Sequence, residues 1–131
     1  MLDSIETQVF SLIKAKFSAK IKAKYKDLNF TMVDKSSTKP KFPNVYIHLL
    51  PSNTIGKTLR GNTIEGIDAT FQVDVQDNQS QQRATEVSNE VLRVMVSMGF
   101  EPKPMPHFEN TGDTYRKTAR YYRPIGGGDI L

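Results

Sequence analysis

The chain has 131 residues, a size that suits one hydrophobic core and a single domain spanning residues 1–131. Hydrophobic residues make up 37% and charged residues 24%, which excludes a disordered composition, and the lack of cysteine excludes disulfides and any zinc or nucleophile site built on a thiolate. The formal net charge of +4 favours acidic partners or nucleic acid by long-range attraction, while the lack of tryptophan and the core-like spacing of tyrosine and phenylalanine argue against a base-stacking platform.

The opening residues Leu2, Ile5, Val9, Leu12, Ile13, Phe17 and Ile21 recur at three- and four-residue steps, which predicts a helix with one buried side. Asp3 or Ser4 can serve as its N-cap, and Glu6 suits the positive end of the dipole. Lys14, Lys16, Lys20, Lys22, Lys24 and Lys26 crowd the far end, where cations are favoured. With a rotation of about 100° per residue, Lys24 falls on the face of Ile13 and Phe17, so the helix ends before it. The first ten residues carry acids rather than a basic leader, and no apolar run approaches membrane-spanning length. The expectation is a protein made in the cytoplasm, with no membrane partner.

Leu28 to Asp34 alternates as a short strand, and Lys35 to Asn44 reads as a solvated loop. Val45, Ile47 and Leu49 alternate with Tyr46 and His48 in a second strand closed by Pro51. Asn53 to Gly66 is polar and glycine-containing, and we expect a hairpin arm there. Ile67, Ala69, Phe71, Val73 and Val75 alternate with Asp68, Thr70, Gln72, Asp74 and Gln76, a strand with one buried and one wet face.

Asn78 or Ser80 can cap a second amphipathic helix carrying Ala84, Val87, Val91, Leu92, Val94, Met95 and Met98; Gly99 ends it in a left-handed conformation, with Phe100 as the accompanying hydrophobic contact. Glu101 to Phe108 holds prolines at 102, 104 and 106, so any strand here is an edge. Thr114 to Arg123 alternates as a final strand, and Ile125 to Leu131 reads as a glycine-rich flexible tail. The order predicts an α+β fold: a mainly antiparallel sheet of about four strands with two helices packed on one face. The other face is polar, suited to water or to a second copy.

Residue types that carry chemistry are sparse. His48 and His107 lie in different segments without a neighbouring acid or second histidine at ligand spacing, so each reads as an ordinary strand or rail residue. Asp68 and Asp74 share a strand face, yet nothing separates their environments as acid and base roles require. Gly126, Gly127 and Gly128 lack the Lys-Ser/Thr and the helix of a phosphate loop. No nucleophile, base and orienting group can be assembled, so neither an enzyme nor a bound cofactor or metal is expected. The basic residues Lys57 and Arg60 on the arm, Arg116, Lys117, Arg120 and Arg123 on the last strand, and the lysines of the first helix have two readings: solubility and edge protection, or recognition of an acidic ring or a DNA backbone.

The stretch Phe71-Gln-Val-Asp-Val, followed by Asn78-Gln-Ser-Gln-Gln-Arg-Ala-Thr-Glu-Val and ending at Met98-Gly-Phe, resembles the middle of the small tail terminator and tail-completion proteins of long-tailed bacteriophages, in which a long strand feeds directly into an amphipathic helix. The ending Thr118-Ala-Arg-Tyr-Tyr-Arg-Pro-Ile-Gly-Gly-Gly is similar to their last strand. The resemblance covers the element order of the whole chain but rests on no single diagnostic motif. It implies a virion protein at the head-proximal end of the tail, without covalent chemistry. Its partners would be copies of itself in a hexameric ring, the tail tube protein and a head-completion or connector protein, with non-specific contact to DNA in transit. In that setting Lys57, Arg60, Arg116, Arg120 and Arg123 are the candidate assembly-interface residues. A head-tail connector of the same phage type, or a basic nucleic-acid-binding accessory domain, is the alternative.

Overall fold

The computed structural model describes residues 2–32, 41–51, 54–57, 64–110 and 114–126. Three helices, α1 (Leu2–Lys16), α2 (Ala19–Lys24) and α3 (Gln81–Ser97), accompany seven strands: β1 (Asn29–Thr31), β2 (Asn44–Leu49), β3 (Thr54–Lys57), β4 (Ile64–Asp77), β5 (Glu101–Pro102), β6 (His107–Phe108) and β7 (Tyr115–Gly126). The fold is α+β, with one sheet in the order β1-β2-β4-β7-β5; β3 also pairs β4, and β6 also pairs β7. The expectation of about four strands undercounted because β3, β5 and β6 are short pieces laid along the two long strands, and so leave little periodicity to read.

The spine of the sheet is the antiparallel ribbon of β4 and β7, in register over twelve pairs from Gly66↔Gly126 to Asp77↔Tyr115. Strands β2 and β3 lie end to end along the other edge of β4, opposite residues 71–76 and 64–67 respectively. The hairpin arm is therefore present as β3 and the start of β4, while 52–53 and 58–63 lie outside the described residues. Every pair is antiparallel except β1 with β2, which run parallel, joined through residues 32–43. A parallel return needs a crossover of about a dozen residues or more, and most of the loop expected at 35–44 belongs to that connection; 33–40 lie outside the described residues.

The first helix is two helices. Ser18 adopts an extended conformation (φ −57°, ψ 125°) and breaks the run, and its backbone N–H donates to Glu90 Oε2 at 2.7 Å. Glu90 stands on α3, so the break is stabilised by an element about seventy residues away that local periodicity does not reveal. Arg93 holds the same carboxylate (Nε to Oε1, 2.8 Å) and donates to the Lys16 carbonyl at 3.0 Å, fastening the end of α1 to α3. Helix α1 already starts at Leu2, so Asp3 and Ser4 lie in its first turn rather than before it. At the other end of the fold β7 runs further than expected: Ile125 is buried and pairs with Ile67, so the residues read as the start of a tail extend the ribbon, and 127–131 lie outside the described residues.

Helix α3 has the predicted ends. Ser80 Oγ accepts from Arg83 N–H at 3.2 Å, satisfying one of the first-turn donors. Gly99 has φ +87°, with Gly99 N–H donating to Val96 C=O and Phe100 N–H to Met95 C=O, each at 3.0 Å; these are the two bonds of a Schellman motif. Phe100 is thereby turned into the core, where its ring meets that of Phe71 edge-on at 5.6 Å.

Helices α1 and α3 lie over one face of the sheet, and α2 packs at the margin of the same core through Ile21. The inward parity of β2, β4 and β7 supplies Val45, Ile47, Ala69, Phe71, Val73, Val75, Ala119, Tyr121 and Ile125, which join Val9, Ile13 and Phe17 from the α1 side and Val87, Val91, Val94 and Met95 from α3 in a single cluster. Fully burying side chains of this size stabilises by about 1.5–3 kcal/mol each, so this face carries most of the folding free energy.

Candidate assembly surface

Residues directly opposite in an antiparallel ladder project to the same face. The face away from the helices is therefore made by Tyr46 and His48 from β2, Asp68, Thr70, Gln72, Asp74 and Gln76 from β4, and Arg116, Thr118, Arg120 and Tyr122 from β7. No described helix lies over it. It is wired by side-chain hydrogen bonds within and between strands. Thr118 Oγ1 donates to Asp74 Oδ1 at 2.8 Å, Gln72 Nε2 reaches the same carboxylate at 3.3 Å, and Arg120 Nε donates to Gln72 Oε1 at 3.2 Å. Tyr122 donates its hydroxyl proton to Asp68 Oδ1 at 2.6 Å, and this hydrogen bond raises the pKa of the phenol above its ordinary value. Tyr46 and His48, two residues apart on one strand, stack with ring centroids 4.4 Å apart and an interplanar angle of 5°.

Asp74 departs from the expectation of a wet carboxylate: it is 5% exposed, because Tyr46 and Thr118 flank it on the neighbouring strands. Its hydrogen bonds meet the requirement that a buried acid be satisfied. Two other polar atoms buried on this face, His48 Nε2 and Arg116 Nε, have no partner among the described residues.

The five candidate interface residues do not form one patch. Arg116 and Arg120 share the open face, Arg116 pairing with Glu109 at 3.3 Å. Arg123 lies opposite Ala69 on the helix-covered side, where its guanidinium donates to the Met98 carbonyl at 3.1 Å and runs alongside Gly99. It thus helps close the C-terminus of α3. Lys57 is in β3, in register with Ile64 on the arm, and Arg60 lies outside the described residues. Lys117 also lies on the helix side, with its ammonium over the Phe108 ring at 5.0 Å. Period-two counting along residues 116, 117, 120 and 123 is the sequence signal that separates these groups.

The proline rail runs along the outer edge of β7, as an edge should. Glu101 and Pro102 pair with Tyr122 and Tyr121, His107 and Phe108 with Thr118 and Lys117, and Lys103 N–H donates to the Arg120 carbonyl at 2.7 Å. Met105 and Phe108 stand exposed on it. Among the described residues no group of three or more histidine, aspartate or glutamate side chains is placed to hold a metal ion, and no helix is long and apolar enough to cross a membrane.

No protein-family model matches this chain. No curated protein matches it either. Among solved structures, a chain whose name states no function superposes with a TM-score of 0.50 over 92% of this chain and 96% of its own length at 11% identity. At that identity the likeness speaks for the α+β fold alone.

Proposed function

We propose that the protein is a phage tail terminator, a virion protein that caps the tail tube as a ring, stops tube polymerisation and forms the surface onto which the head docks. The observation that carries this reading is the unit formed by β4 and α3: a long strand that passes through the Asp77–Ser80 turn straight into a helix capped by Ser80 and closed at Gly99. Those are the residues on which the family resemblance rests. Asp77 makes the turn by accepting from Gln79 N–H and Ser80 N–H at 3.0 and 2.9 Å, with Arg83 3.3 Å from its other oxygen.

The open sheet face supports the same reading. A subunit that waits in solution and then closes into a ring needs surfaces that tolerate water alone and complement a neighbour when assembled. Tyr46, His48, Arg116 and Arg120 supply aromatic and arginine groups of the kind that anchor interfaces, and His48 Nε2 and Arg116 Nε, without a partner among the described residues, are atoms a neighbour can satisfy. Before assembly the protein resides in the host cytoplasm; afterwards it sits at the head-proximal end of the tail, against the tube protein below and a head-completion or connector protein above.

The test is an infection in which the gene product is withheld. Tails of abnormal length beside filled heads are expected; free tails of normal length would point to a head-side connector and sink the terminator. Light scattering of the purified chain adds the complementary readout, a closed ring of about six copies.

A further inference from the structure

The net charge of this protein is concentrated at one corner. The six lysines from Lys14 to Lys26 on α1, α2 and the residues just after them, together with Arg93 and with Arg83, whose guanidinium lies over the Tyr25 ring at 5.0 Å, make eight cations. Asp27, Glu86, Glu90 and Asp77, the partner of Arg83, are the acids of the same corner, so it holds +4, the formal charge of the whole chain, and the remaining ten cations and ten acids cancel. The six lysines are all exposed. Lys22 Nζ donates to the Lys14 carbonyl, which draws the ends of the two helices together, and Lys24 pairs with Glu86 at 3.1 Å. Lys16, Lys20 and Lys26 make no ion-pair contact among the described residues, and Lys20 acts on Glu86 only at longer range.

Favourable interaction with the helix C-termini explains Lys14, Lys16, Lys22 and Lys24, which stand in last turns, but not Lys20 and Lys26. The chemistry of the corner narrows its partner. Protein interfaces are depleted in lysine and anchored by aromatics and arginine, and here lysine supplies six of the eight cations, while Arg83 and Arg93 are engaged with Asp77 and Glu90. Insertion into a membrane surface requires an apolar face beside the cations, whereas Ile5, Val9, Ile13 and Phe17 are turned inward and buried in the core. A compact ammonium on a flexible stem is suited to the unpatterned phosphates of a nucleic acid backbone, which need positive charge and no fixed geometry.

We propose that the corner formed by α1, α2 and Arg93 binds the phosphodiester backbone of duplex DNA without sequence preference, with Lys16, Lys20 and Lys26 as its principal cations. The site lies on the helix side of the sheet, away from Arg116 and Arg120, so DNA binding and the open-face interface use different surfaces. The proposal does not require the terminator reading: DNA binding with normal tail length, and abnormal tail length without DNA binding, are separate results.

The experiment is a fluorescence-anisotropy titration of the full chain against a labelled short duplex of arbitrary sequence, between about 50 and 200 mM salt. Affinity should fall linearly in log-log form with salt. The triple variant Lys16→Gln/Lys20→Gln/Lys26→Gln should reduce that slope by about 2–3, at about 0.9 for each phosphate no longer neutralised, and weaken low-salt binding about tenfold or more. The matching triple arginine variant should bind like the parent, and Arg116→Gln/Arg120→Gln should change affinity by less than about twofold. Because the three lysines are exposed, circular dichroism should report an unchanged fold. No association at low salt, or a glutamine triple that binds as the parent does, overturns the proposal. Polyglutamate competing as well as unlabelled duplex also overturns it and reassigns the corner to an acidic protein.

Discussion

The two faces of the β4–β7 ribbon are made by alternate residues of the same strands, yet they are stabilised in different ways. On the helix side, Ala69, Phe71, Val73 and Val75 face α1 and α3 with their surface removed from water. On the open side, Asp68, Gln72 and Asp74 are tied by hydrogen bonds to Tyr122, Arg120 and Thr118. Hydrophobic burial, at about 1.5–3 kcal/mol per large side chain, makes the fold. The polar ladder, at about 0.5–1.5 kcal/mol net per bond, leaves a hydrated surface at little cost in stability.

Substitutions can break that asymmetry. The largest effect is expected from Phe71→Ala, which removes a fully buried ring from beneath Phe100; urea unfolding should report a loss of about 3–5 kcal/mol. Next comes Glu90→Gln at the junction of the α1–α2 break with α3, where a buried acceptor of the Ser18 amide and the Arg93 guanidinium is weakened, at about 1–3 kcal/mol. The hydrogen bond from Arg93 holds the Glu90 carboxyl below its ordinary range. Its stabilisation is therefore fully present above the unfolded carboxylate pKa of about 4.3 and is lost as pH falls through the lower folded value. The parent should lose stability over that acid range faster than Glu90→Gln; parallel stability-pH curves would show that the pair contributes nothing.

Gly99→Ala tests the end of α3. The residue is held at φ +87° with the Arg123 side chain 3.4 Å from where a Cβ would stand, so a loss of about 1–2 kcal/mol is expected in thermal unfolding. The smallest change belongs to the open face. Tyr122→Phe deletes the hydrogen bond to Asp68 at a cost of about 1 kcal/mol or less, because water can replace it there. If the open face is the proposed ring interface, this variant should be stable in isolation yet impaired in forming rings; a variant that assembles as the parent does would remove Tyr122 from the proposed interface.

Much of this molecule is legible in its sequence where one local rule suffices. The alternation from Ile67 to Gln76 defined the central strand and its inward side, and Ser80 and Gly99 marked the ends of α3 because a cap and a left-handed residue depend on only the next few amides. The prolines at 102, 104 and 106 restricted their segment to an edge. The basic residues were legible as a set but not as a site: parity divides Arg116 and Arg120 from Arg123, and only the packing of α1 and α2 against α3 gathers the lysines and Arg93 into one corner.

Sequence by itself determined the α+β class, the long strand with its capped helix, the edge role of the proline rail and the magnitude of the charge, since each follows from short-range periodicity, turn chemistry or a count. The tertiary structure decided the break at Ser18, the parallel pairing of β1 with β2, the extension of β7 through Ile125, the burial of Asp74 and the location of the charge. Each of these depends on which distant residue supplies a hydrogen bond or covers a side chain: the Glu90 carboxylate at Ser18, Tyr46 and Thr118 beside Asp74. A pairing across forty or seventy residues leaves no period in the chain, and it exists only once the sheet and helices have closed on one another.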